Sequence, residues 1–191
     1  ISAAEKTLPY CPLTDFALER LLDRDENSVK MVCGLKMLGL AQVSKSIVRI
    51  AEMGRLPGDS GNSFEVLQPK NERDIRHAFD RSRKSDEGMT LILFAPENVE
   101  SCKRIVRWMG EQEAVLDGRI RPIIMVEAGN AELREEAIRA GEVTEFLSPW
   151  GMEMLRMHLN YVERPELDGR EMRERILSAT GGIPADVVSL V

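Results

Sequence analysis

The sequence predicts an α/β fold: a three-layer α/β/α sandwich around a five-stranded, mainly parallel sheet, followed by a small C-terminal helical lid. Three observations predict it. Short apolar runs bounded by Gly or Pro recur along the chain, and each reads as a buried strand. Between them lie stretches whose apolar residues fall at helical spacing, the order expected of parallel strands covered on both faces. The 191 residues are 43% hydrophobic and 30% charged, which is globular rather than disordered.

The elements follow in order. Val29 to Cys33 is the first strand and ends at Gly34. After Gly39, Leu40, Val43, Ile47 and Ile50 recur at helical spacing, and Gly54 supplies a stop. Gly58 to Asn62 is turn chemistry, and Phe64 to Leu67 is the second strand, closed by Pro69. Asn71 can cap a helix carrying Ile75, Ala78 and Phe79, and Thr90 to Phe94 is the third strand. Ser101 to Val115 reads as one helix, with Ile105, Trp108 and Met109 on its apolar face. Asp117-Gly118 turns the chain into Pro122 to Val126, the fourth strand. Asn130 caps a helix through Ile138 that stops at Gly141, and Thr144 to Leu147 is the fifth strand, ended by Pro149. Helices over Met152 to Tyr161 and Glu171 to Ala179 complete the chain, the second stopping at Gly181-Gly182. The right-handed crossover rule turns this order into a doubly wound sandwich over 1–150, with 151–191 as a truncated lid segment. The missing initiator Met and an apolar-periodic tail read as a piece of something larger.

Composition narrows the function. With 26 Lys+Arg against 32 Asp+Glu the net charge is −6 and the pI about 5.2, which argues against a general nucleic-acid surface. No apolar run reaches a membrane span and no signal-peptide pattern opens the chain, so a cytoplasmic protein is expected. Cys11, Cys33 and Cys102 form no C-x-x-C pair, so reduced thiols and no metal are expected. His77 and His158 each fall within a helix without a partner in the sequence.

In such a sheet, ligands bind outside the carboxyl ends of the strands. Gly34-Leu-Lys-Met-Leu-Gly39-Leu-Ala41 follows the first strand with the glycine spacing of a phosphate-binding G-x-x-x-x-G-K-[ST] loop. There the backbone N–H groups wrap phosphates, the Lys meets the terminal charge and the hydroxyl holds Mg²⁺. Here Leu40 and Ala41 stand at the Lys and hydroxyl positions. A second frame from Gly39 to Ser44-Lys45-Ser46 restores Lys and hydroxyls but loses the second glycine. After the third strand, Ala95 and Pro96 stand where an acidic pair would orient Mg²⁺ and water, with Glu97 one place late. Asn130 lies where a polar residue could sense the γ-phosphate, and it is equally explained as a helix cap.

The order of elements resembles the P-loop NTPases of the AAA+/STAND group. Leu8-Pro9 through Leu21-Leu22 is similar to the helix before the P-loop in that group, and Phe146-Leu-Ser-Pro-Trp150 to the exit into its lid. Ile176-Leu-Ser-Ala-Thr-Gly181-Gly-Ile-Pro184 resembles the lid motif T-G-G-x-P, which in the family helps close the lid over adenine. The resemblance implies a nucleotide site at Gly34, Gly39, Ser44, Lys45, Ser46, Asn130 and Pro184, with Glu97 as the catalytic acid of an active enzyme. The residues argue against the reaction, because phosphoryl transfer relies on the missing charges. The expectation is a non-hydrolysing pseudo-ATPase, with no cofactor and no metal, that assembles with protein partners or itself. Trp150 and the stretch Arg170 to Arg175 are the expected interaction faces.

Three alternatives stand beside it. One is an ATP-binding ATPase domain with an atypical P-loop and Mg²⁺. Another is a receiver-like signalling domain, which Pro122 to Ala128 and Phe146 to Trp150 resemble, with Ala95 and Ser148 in place of the phosphoacceptor Asp and the Lys. The third is a helix-turn-helix over Leu38 to Val48, offering Gln42, Ser44, Lys45 and Arg49 to DNA.

Overall fold

The computed structural model describes residues 11–22, 29–52, 64–84, 88–94, 99–127, 135 and 144–191. Their order is α1 (Asp15–Leu22), β1 (Lys30–Gly34), a 3-10 turn (Lys36–Leu38), α2 (Leu40–Glu52), β2 (Phe64–Leu67), α3 (Glu72–Ser82) and β3 (Gly88–Phe94). Then come α4 (Val99–Gly110), α5 (Glu113–Leu116), β4 (Ile120–Glu127), β5 (Thr144–Phe146), α6 (Met152–Tyr161), a second 3-10 turn (Pro165–Leu167), α7 (Arg170–Thr180) and α8 (Pro184–Leu190).

The five strands form one sheet in the order β2-β3-β4-β1-β5, and every ladder is parallel. β1 therefore lies in the interior, with Met31 opposite Ile124 on one side and Thr144 on the other. A receiver-type sheet runs 2-1-3-4-5 and sets its first strand beside the second and third. That expectation is overturned. The helix-turn-helix reading falls too, because Leu40–Glu52 is a crossover helix leaving β1, with Val43, Ser44 and Ile47 buried.

Side chains alternate between the two faces of a strand. Met31, Cys33, Leu91, Leu93, Ile124 and Val126 face α3, α4 and α5, where Ile75, Phe79, Met109 and Val115 meet them. Val32, Ile92, Ile123 and Met125 face α1 and α2, against Leu18, Leu21, Val43 and Ile47. On the outer side of the first layer, Phe79 meets Trp108 edge-on at 4.9 Å, and Arg76 lies 4.9 Å above the Trp108 ring.

Two buried cations dock α1. Its last turn leaves carbonyls without intrahelical partners. Lys30 Nζ donates to Arg20 O at 2.6 Å, and Arg121 Nη1 donates to Leu22 O at 3.0 Å. Both side chains are buried, and positive charge at a helix C-terminus complements its dipole. β4 begins at Ile120, before the apolar run that marks it in the sequence, because its ladder with β3 opens at Met89–Ile120, and Arg121 within it is buried on the α1 carbonyl.

Asn71 caps α3 as read: its Oδ1 accepts from the Asp74 N–H at 2.9 Å. The single helix expected over Ser101 to Val115 is two, because Gln112 Nε2 donates to Trp108 O and closes α4, and α5 starts afresh at Glu113. The lid has its own core of Trp150, Leu155, Leu159, Ile176 and Val187. Trp150 is 5% exposed, so it holds the lid together and presents no outer face. The Arg-rich stretch is a solvated helix surface laced by Arg170–Glu174 and Arg175–Glu171 ion pairs. Among the described residues, no helix is long and apolar enough to cross a membrane.

Candidate functional site

The β1–α2 turn sits at the carboxyl end of an interior strand, where a parallel sheet places its ligand. Gly34 ends β1 under a tight neighbour: the Leu147 N–H donates to Cys33 O at 2.7 Å, and a Cβ on Gly34 would lie 2.6 Å from Leu147 Cβ. Gly39 closes the turn with φ 92 and ψ 31, a left-handed conformation that side chains disfavour, and a Cβ there would lie 3.3 Å from Pro12 Cγ. Between them the Leu38 N–H donates to Leu35 O and the Gly39 N–H to Lys36 O. Gly39 O then accepts from Gln42 and Val43 and starts α2. Both glycines are thus required by the chain's own packing, and two of the loop's donors are committed to its own carbonyls.

The predicted residues divide into three groups. Gly34 and Gly39 frame this turn. Ser44, Lys45 and Ser46 lie farther along α2, where the serine hydroxyls donate to Ala41 O and Gln42 O and Lys45 is exposed. Pro184 is buried at the first position of α8, and α8 packs against the 3-10 turn Lys36–Leu38. Glu97 and Asn130 lie outside the described residues.

The Thr-Gly-Gly-x-Pro segment has a defined shape. Thr180 Oγ1 donates to Ile176 O at 2.8 Å and accepts from the Gly182 N–H at 3.2 Å. Gly181 and Gly182 have φ of 61 and 71, which turns the chain back from α7 into α8. Gly182 O accepts from the Trp150 N–H at 2.7 Å, and a Cβ on Gly182 would lie 2.5 Å from Trp150 O. The motif therefore locks the lid to the exit of β5. Beneath it, His158 packs 5.1 Å from the Trp150 ring, and burial holds its pKa below the ordinary 6.5.

Sequence reasoning missed Pro12, Leu147 and Trp150 as the neighbours that require these glycines. Consecutive glycines before a proline could have signalled the doubled left-handed turn. Nothing in the sequence signals that Pro12 meets Gly39 or that Leu147 meets Gly34.

A magnesium nucleotide needs a cation and a hydroxyl directly after Gly39. Leu40 is 6% exposed and packs with the α1–α2 face of the core, and Ala41 has no hydroxyl. Leu35 and Met37 present exposed aliphatic surface on the turn. These residues do not fit the group. Among the described residues, no cluster of His, Cys, Asp and Glu could hold a metal ion.

No protein-family model matches the chain, and no curated protein is similar to it. Solved structures do resemble it. Cdc6p from Pyrobaculum aerophilum superposes with a TM-score of 0.53 at 12% identity, over 86% of this chain and 54% of that one. The ORC1 protein of Aeropyrum pernix, solved in complex with DNA, gives 0.52 at 14% identity over 83% and 51%. RuvB from Thermotoga maritima, a Holliday junction branch migration motor, gives 0.51 at 15% identity over 92% and 57%. The chain spans a little over half the length of each. At these identities what is shared is the fold: the chain has an α/β architecture of the AAA+ P-loop type, with an all-parallel five-stranded sheet.

Proposed function

We propose that this chain is a non-hydrolysing P-loop-fold module, of AAA+/STAND type, that serves a larger protein in assembly or regulation and takes neither ATP nor Mg²⁺. The observation that carries the reading is the buried Leu40 directly after Gly39, where a phosphate loop would hold its cation. The internal hydrogen bonds of Leu38 and Gly39 and the packing of α8 on the same turn support it. A turn whose glycines are packed by Leu147 and Pro12, and whose Leu38 and Gly39 N–H groups are bonded to its own carbonyls, has the chemistry of a structural joint. Leu40 and Ala41 supply neither the cation nor the hydroxyl that follow the second glycine of a phosphate loop, and transfer depends on that charge compensation.

The test is a calorimetric titration of Mg-ATP into the parent chain and into Lys45→Ala, with thermal unfolding read alongside. The expected result is no saturable heat and an unchanged unfolding midpoint for both. Saturable binding that disappears with Lys45 would instead establish the atypical P-loop through Ser44, Lys45 and Ser46.

A further inference from the structure

We draw no further inference here: the strongest candidate, the outer face of α3 and α4 where Arg76 stacks on Trp108 and Glu72 pairs with both Arg76 and Arg104, is a solvated helix surface whose arginines interleave with Glu72, Asp74 and Asp80, and nothing in the structure shows what covers it.

Discussion

Replacing Gly182 by Ala should cost far more than the same change at Gly181, although the two are adjacent and both have positive φ. The conformational penalty is shared: a non-glycine residue in the left-handed region loses roughly 1–2 kcal/mol. The surroundings differ. At Gly181 a Cβ meets nothing within 4 Å. At Gly182 it would lie 2.5 Å from Trp150 O and 3.1 Å from Trp150 N, so backbone rather than a flexible side-chain tip must yield. Opening that contact to an ordinary distance also stretches the 2.7 Å bond from the Trp150 N–H to Gly182 O, worth about 1 kcal/mol, and disturbs the packing of Trp150. The expected costs are roughly 1–2 kcal/mol for Gly181→Ala and roughly 3–5 kcal/mol for Gly182→Ala. For a chain of this length the gap separates the two unfolding midpoints by roughly 5–10 °C. Thermal unfolding followed by tryptophan fluorescence in a Trp108→Phe background reads the contact directly, since Trp150 is then the remaining tryptophan. Equal costs at the two glycines would refute the claim that Gly182 is clamped between lid and sheet.

The other predictions concern the docking of single elements. Asn71→Ala removes the acceptor for the Asp74 N–H and should lower stability by about 1 kcal/mol in urea unfolding, with α3 exchanging its amides faster. Lys30→Met leaves Arg20 O without its buried donor and should cost about 1–3 kcal/mol, with protection lost first in α1. His158 is held below its ordinary pKa by burial, so the unfolded chain takes up its proton first as pH falls. The stability tied to the neutral imidazole is thus fully present above about pH 6.5 and lost as pH falls towards the lower folded value. Lid unfolding measured from pH 7.5 to 5, with His158→Gln lacking that component, checks the sign.

Much of the fold was legible because local rules determine it. Runs such as Thr90 to Phe94 and Pro122 to Val126 are short, apolar and flanked by Gly or Pro, which reads as buried strand, and Asn71 announces its helix by capping chemistry. Strand order was not legible, since pairing β1 with β4 and β5 depends on packing between distant residues. The candidate site divides in the same way. The absence of Lys and Ser after Gly39 is visible in the sequence. That Gly34 makes room for Leu147, Gly39 for Pro12 and Gly182 for Trp150 is visible only once the layers close. Trp150 misled for a related reason: an aromatic in a loop reads as an exposed contact until the lid folds over it.

The central claim is that the β1–α2 turn is a joint of the fold and holds no nucleotide. Residue-resolved amide NMR of the chain titrated with Mg-ATP tests it most directly, because Leu38, Gly39, Leu40 and Ala41 each report their own N–H. The account predicts amide shifts from Gly34 to Ala41 that stay constant at every concentration. Saturable shifts confined to that turn and to the Gly181–Pro184 segment would contradict it.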